Sequence, residues 1–265
     1  MNATPVFEVL AARYAERETT RSRIYYAWPT YDEPDGPVLM SYYFWLLRSA
    51  DGPPILVDTG FDPALAASKN RPCTITPADL IGRLGVNCEE VEDVIVTHLH
   101  YDHIGNLDLF PNARYTVAER ELAFWRGPLA QRMQFEEHGD PQGVEFLLRA
   151  RAAGRVRLVD RSREVVPGVT VERVGGHSPG QLIVSIATAT GELLLASDAV
   201  HYYEELELDR PFAVIADLAD AYRAFDVINK ARAAGAVFVP AHDPLVMDRH
   251  PSVDGALAEM VVRLG

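Results

Sequence analysis

Thr97-His98-Leu99-His100-Tyr101-Asp102-His103 follows directly on the apolar run Val94-Ile95-Val96. Three imidazoles and a carboxylate thus fall within six residues at the end of what reads as a buried strand. Four such groups are costly to crowd together without a cation. Imidazole and carboxylate are the ligands that suit Zn, Mn, Fe or Co, and a strand-to-loop junction lets alternate side chains converge on one point while others reach a second point nearby. The stretch therefore reads as a metal site with places for two ions. A polar loop whose histidines cap a helix or face water is the competing reading, and the density of ligand types in His-x-His-x-Asp-His weighs against it.

This pattern resembles the signature of the metallo-β-lactamase superfamily. The resemblance implies an α+β fold, an αββα sandwich of two mixed sheets packed face to face with helices outside and metals at one edge. It also implies further ligands downstream, and the chain offers them: His177 in Gly175-Gly176-His177-Ser178-Pro179-Gly180, Asp198 in Leu194-Leu195-Ala196-Ser197-Asp198, and His242 in Val237-Phe238-Val239-Pro240-Ala241-His242-Asp243. The match spans roughly residues 38 to 245. Carried over, it has His98, His100 and His177 holding one metal, Asp102, His103 and His242 the other, and Asp198 bridging them. The expected ions are two divalent metals, zinc first, with Mn, Fe or Co as alternatives. Asp58 of Asp58-Thr59-Gly60 would orient a ligating histidine, although turn formation alone also accounts for that tripeptide.

Composition narrows the class. The 265 residues are 48% apolar, enough to bury one large core, and residues 1–265 read as one hydrolase domain. A formal net charge of −13 argues against a nucleic-acid partner, because phosphate binding needs a basic surface. Cys73 and Cys88 stand in neither metal-like nor disulfide-framework spacing, which favours a reducing compartment. Met1-Asn2-Ala3-Thr4-Pro5 opens without an apolar leader segment, and no run of about eighteen apolar residues occurs. The expectation is a soluble cytoplasmic protein with a small-molecule lactone or ester as its partner, no membrane, and a homodimer as an open option.

Along the chain, strands are expected at Val6 to Leu10 and around Arg23 to Tyr26, and Trp28 to Pro37 reads as a loop because its prolines forbid regular structure. Trp28 and Tyr31 there would line a substrate entrance or a dimer contact, or pack against the domain. Val38 to Leu47 and Pro54 to Val57 flank the turn Ser49-Ala50-Asp51-Gly52 as a hairpin. Thr76 caps a helix begun by Pro77 and ended by Gly85. Asp93 to Thr97 is the metal-bearing strand, Gly105-Asn106 a tight turn, and Asn112 to Val117 precedes a helix at Ala118 to Arg126. The superfamily resemblance implies that residues 127 to 154 form part of a substrate wall. The runs at 155–159, 164–166, 170–174, 182–187 and 192–196 read as a second sheet, Asp217 to Ala234 as an amphipathic helix, Val237 to Val239 as the last strand, and Val253 to Val261 as a final helix.

The chemistry follows from the ligands. Two divalent ions sharing a water hold it as a bridging hydroxide near neutral pH and polarise a carbonyl, so an acyl bond is hydrolysed without a Ser or Cys nucleophile. Asp102 is a candidate to pass the proton to the leaving group. A bridging acid at 198 is what the true β-lactamases of the superfamily lack and what its lactonases, glyoxalase II-type thioesterases and several phosphoesterases have. Asp58-Thr59-Gly60, His98-Leu99-His100-Tyr101-Asp102-His103-Ile104-Gly105-Asn106 and Gly176-His177-Ser178-Pro179-Gly180-Gln181 are most similar to the N-acyl homoserine lactonase branch. That branch implies a tyrosine close behind the bridging aspartate, donating to the substrate oxygen. Here the third residue after Asp198 is His201, so either His201 is the donor, or Tyr202 or Tyr203 reaches in, or the three are a surface histidine and two packed aromatics. Trp28, Tyr31, Phe124, Trp125, Met133 and Phe135 are candidates for an acyl-chain groove, with core packing as the alternative. His138 and His250 lack ligand spacing and read as solvated. The resemblance implies a metal-dependent lactonase acting in quorum quenching; a glyoxalase II-like thioesterase is the alternative, and a di-iron redox protein a remote one.

Overall fold

Strand alternation builds the architecture. In the computed structural model, which describes residues 5–50 and 52–265, β1 (Glu8–Thr20) and β2 (Pro37–Arg48) pair antiparallel from Glu8 with Arg48 to Thr20 with Pro37. Residues 1–4 of the expected leaderless start and Asp51 of the expected turn lie outside the described residues. Successive side chains of a strand point to opposite faces. Leu10, Ala12, Tyr14, Phe44 and Leu46 accordingly join one core, and Val9, Ala11, Tyr43, Trp45 and Leu47 join another.

β3 (Ile55–Val57) extends the sheet antiparallel to β2, and β4 (Asp93–Ile95), β5 (Arg114–Ala118) and β6 (Val156–Val159) continue it in parallel. The second sheet holds β7 (Ser162–Val166), β8 (Val169–Arg173), β9 (Leu182–Thr188), β10 (Gly191–Ser197) and β11 (Val237–Pro240). With β12 (Val261–Arg263) the orders are β12-β1-β2-β3-β4-β5-β6 and β11-β10-β9-β8-β7. Both sheets are mixed. The core between them runs from Trp45 and Val57 to Val184 and Leu195, and the helices lie outside. Leu80 and Ile81 of helix Pro77–Arg83 and Val144 and Leu147 of helix Pro141–Ala152 cover the first sheet. Ala224, Phe225 and Ile228 of helix Leu218–Ala233 cover the second. This is the expected α+β sandwich.

Several local expectations change. β1 runs on to Thr20, Arg21–Ile24 is a helical turn, and only Tyr25 makes an isolated bridge, to Phe212. The charges at 16–18 hide a strand that β2 specifies by pairing. Val156–Val159 joins the first sheet through β5 rather than the second, a crossover pairing that local composition does not encode. The C-terminal segment is a strand: Val261–Arg263 pairs with Leu10–Ala12 and satisfies the edge of β1, which overrides its helical spacing. In helix Leu218–Ala233, Phe225 and Ile228 are buried together with Ala221 and Ala224, while Leu218 and Tyr222 are exposed. Trp28 is buried, stacked on Tyr25 at 5.7 Å between ring centroids.

The two sheets are tied at the edge where β4 and β10 end. Leu182 N–H donates to Thr97 O at 2.9 Å, and Ser197 Oγ to Thr97 Oγ1 at 2.8 Å. At the same edge Gly105 N–H donates to Gly60 O, and a Cβ on Gly105 would lie 1.9 Å from Asp62 N and 2.4 Å from Phe61 C. Backbone cannot yield as a side-chain tip can. Gly105→Ala is therefore expected to destabilise the fold by about 1–3 kcal/mol or more, read as a lower urea midpoint at unchanged slope; a wild-type midpoint would show that this approach does not constrain the loop.

Candidate metal centre

Four chain segments meet at this edge. His98 and His100 follow β4, Asp102 and His103 belong to the short helix Tyr101–Ile104, His177 lies between β8 and β9, and Asp198 and His242 follow β10 and β11. All seven are buried. A register shift between Leu195 and Ser197 and a φ of 45° at Ser197 turn the chain as β10 ends, so that Asp198 faces the cluster. Around Asp198 the ligand atoms divide into His98/His100/His177 and Asp102/His103/His242, each set within 4.8 Å. Asp198 Oδ1 is 3.2 Å from His103 Nε2, and Oδ2 is 3.2 Å from His242 Nε2 and 3.3 Å from His177 Nε2. His100 presents Nδ1, 2.9 Å from His177 Nε2.

Partners on the far nitrogens fix these rings. His103 Nδ1 lies 2.7 Å from Asp58 Oδ2, His242 Nδ1 2.7 Å from Ser41 O, and His177 Nδ1 2.9 Å from Val214 O. Each leaves Nε2 toward the centre, the arrangement that presets imidazoles as metal ligands. Asp58 also accepts from Thr97 N–H and Oγ1, and sits at φ 61°, a left-handed conformation uncommon for a non-glycine residue.

Burial pushes His98, His100 and His177 well below the ordinary histidine pKa, leaving neutral, ligand-ready rings. Burial acts the same way on His103, but Asp198, Asp58 and Asp102 outweigh it and hold its pKa well above the usual value. Asp198 is the converse: burial opposes its charge, yet His103, His242, His201 and His98 hold it well below the carboxylate range. The cluster is thus charged and buried, and His98 Nε2, His103 Nε2 and Asp198 Oδ1 have no hydrogen-bond partner. Buried polar atoms left this way cost roughly 1–3 kcal/mol each, more when charged. Converging imidazole and carboxylate donors with such orphaned atoms fit a divalent metal.

Glu121 and His138 go beyond the sequence expectations, and His201, one of the three candidates named after Asp198, reaches the cluster. Glu121 is fully buried; Oε1 accepts from Leu99 N–H and Trp125 Nε1–H, and Oε2 from Ser178 Oγ and Gly180 N–H. It clamps the His98–His100 turn to the His177 turn. Its only sequence signal was an acid on the inner side of a helix. His201 faces the cluster, with Nε2 3.1 Å from Asp198 Oδ2, and its ring stacks on Phe212 at 3.6 Å. Burial disfavours its charge, but Asp198 and Glu205 raise its pKa to about 9. His138, expected in solvent, instead borders the cavity 5.3 Å from the His100 ring.

Tyr202 and Tyr203 stand apart from the cluster. Tyr202 Oη donates to Leu39 O at 3.4 Å, and Tyr203 packs on Phe238 beneath Arg249. The cavity beside the cluster, about 330 Å³, contains none of the six aromatic and methionine groove candidates; Glu137 and His138 are the residues of the 127–154 segment that border it. Trp125 instead packs edge-on beneath His100 and donates to Glu121, Phe124 packs on Phe135, and Met133 is 74% exposed. No helix among the described residues is long and apolar enough to cross a membrane. Cys73 and Cys88 are free thiols.

The family model for the metallo-beta-lactamase superfamily matches residues 39–250. An N-acyl homoserine lactonase of Bacillus cereus is 30% identical over 198 residues, 68% of this chain and 72% of that protein. Among solved structures, a quorum-quenching N-acyl homoserine lactone lactonase superposes with a TM-score of 0.74 at 23% identity, covering 92% of this chain and 95% of the other. A dizinc quorum-quenching lactonase, AidC, matches with a TM-score of 0.68 at 17% identity, covering 92% of each.

Added Zn²⁺ should raise the melting temperature of chelator-treated protein, corresponding to about 2.7 kcal/mol per site at a hundredfold excess over Kd. Asp58→Asn should weaken metal binding about 10–100-fold in competition with a chromophoric chelator, since it removes the charge and one of the two acceptor oxygens that orient Thr97 and His103. An unchanged affinity would separate Asp58 from the metal centre.

Proposed function

This chain belongs to the metallo-β-lactamase superfamily and is a metal-dependent hydrolase; on that premise we propose that it is a dinuclear lactonase, opening N-acyl homoserine lactones or a related small lactone. The observation that carries the reading is Asp198: one buried carboxylate contacts ligand atoms from both triads, His103 and His242 on one side and His177 on the other. The B. cereus relative, whose name is N-acyl homoserine lactonase, supports the choice of ester.

His98, His100 and His177 would hold one ion and Asp102, His103 and His242 the other, with Asp198 shared. Bound there, divalent ions such as zinc supply a Lewis acid for the ester carbonyl and an acidified water. The remaining work falls to the chain. Asp58 and the Ser41 and Val214 carbonyls keep the rings oriented. Asp102, at the cavity wall, is positioned to accept the attacking water's proton and return it to the leaving alkoxide. His201 also borders the cavity, stacked on Phe212, and offers an N–H to the oxygen on which charge develops. It takes the place expected of a tyrosine, while Tyr202, whose hydroxyl is directed to Leu39 O, supports the turn that carries it.

Proton release by zinc-reconstituted protein, followed against acyl homoserine lactones, simple lactones, thioesters and a β-lactam, tests the reading. Chelator-sensitive release with lactones is expected; release with thioesters alone would move the enzyme to the glyoxalase II type. Asp198→Ala should lose metal and turnover together, and a metal-replete, fully active variant would refute the shared ligand. His201→Phe should lower kcat by about 10²–10³ while Tyr202→Phe stays near wild type; the reverse order would make Tyr202 the donor.

A further inference from the structure

The cavity beside the metal cluster is bordered by Arg17 of β1, by Arg23, and by Lys69 and Arg71 just beyond helix Pro63–Ser68. This is a concentration of cations in a chain of formal net charge −13. Among the described residues none of the four pairs with a carboxylate, whereas Arg13, Arg21, Arg157 and Arg210 do. The acids on the same wall are Asp102 and Asp198, which belong to the metal cluster, and Glu137, whose backbone oxygen, not its carboxylate, accepts from Lys69. Metal bound nearby would only make the wall more positive.

The Arg17 and Arg71 guanidinium groups are held in place. Arg17 Nε donates to Tyr42 Oη at 2.8 Å and Nη2 contacts Met40 Sδ at 3.3 Å; Arg71 Nε donates to Tyr101 Oη at 3.2 Å and Nη1 to Lys69 O at 3.0 Å. The two tyrosines are built onto the metal centre: the Tyr42 ring packs on His242 at 5.2 Å, and Tyr101 precedes Asp102. Arg17 Nη1 and Arg71 Nη2 are left without an acceptor among the described residues. Orienting a tyrosine hydroxyl needs one neutral donor. Two half-buried, pre-oriented guanidinium groups with free N–H edges and no ion-paired carboxylate among the described residues suit a planar or tetrahedral oxyanion.

We propose that the preferred substrate carries, beside its scissile lactone or ester, a permanent anionic substituent, carboxylate or phosphate, received by Arg17 and Arg71 and drawn in by Lys69 and Arg23. This rests on reading the site as an ester-opening metal centre, and it narrows the substrate to one that a neutral acyl homoserine lactone represents poorly.

The test compares a γ-butyrolactone bearing a carboxylate with its primary amide, using the metal-loaded full-length protein. The carboxylate should be favoured about tenfold or more in kcat/KM, as one added charge-assisted hydrogen bond provides, and the preference should shrink as salt is raised. Arg17→Met and Arg71→Met should each bring the ratio toward one, chiefly through KM, and Arg71→Lys should retain part of it. A phosphonate-bearing lactone ranks the two anions. A wild-type ratio near one, a ratio untouched by both Met variants, or variants that relieve only product inhibition would overturn the proposal. Cyclopentanecarboxylate, which cannot be hydrolysed, gives a reading independent of turnover. Calorimetric binding about tenfold weaker in the double Met variant, with neither lactone turned over, would sink the lactonase reading and keep the anion site; equal binding would sink the anion site.

Discussion

The constraint on which the rest depends is electrostatic: two carboxylates and five imidazoles are held out of water around one point. Asp198 carries negative charge at a fully buried position because imidazoles surround it, and two ligand nitrogens, His98 Nε2 and His103 Nε2, have no hydrogen-bond partner among the described residues. Such a cluster is unfavourable by itself, since buried polar groups without partners retain most of their desolvation cost. The fold tolerates it because rigid sheets on both sides fix every ligand, and because a divalent cation supplies the missing partner.

Rigidity at this edge comes from a second layer of buried acids, two of them joining different segments and the third capping the helix behind His201. Asp58 joins the turn after β3 to Thr97 and His103. Glu121 ties the His98–His100 turn to the His177 turn, and Glu205 accepts from the His201 and Tyr202 N–H groups. Burial raises the pKa of all three, yet each is matched by N–H or O–H donors that favour the carboxylate. Each of these acids thus serves as a brace for backbone and rings, and the left-handed residues Asp58 and Ser197 flank the cluster they help aim.

The cavity wall gives the centre its character. The wall is mixed: Met40, Tyr42, Tyr101, Phe212 and Val214 give it apolar surface, and Arg17, Arg23, Lys69 and Arg71 give it cations. The aromatic residues that would suit a long acyl chain are spent elsewhere: Trp28 closes the turn at Tyr25, and Trp125 supports His100 and Glu121 from below.

The primary structure by itself determined the elements that short-range chemistry controls. Apolar runs ending in His98–His103, Asp198 and His242, the hairpin of β2 and β3, and the Thr76–Pro77 helix start are all legible, because strand alternation, caps and ligand types are local properties. Tertiary structure decided what depends on partners distant in sequence. It extended β1 through a charged stretch, placed Val156–Val159 in the first sheet, and made a strand of Val261–Arg263, since in each case a neighbouring strand supplied the hydrogen bonds. It also brought His138 to the cavity beside the cluster, buried Glu121 between two loops, and gathered Arg17 and Arg71 on one wall. None of these has a local signature: a lone His, Glu or Arg reads the same in solvent as in a site, and only the folded chain sets its dielectric surroundings and its partners.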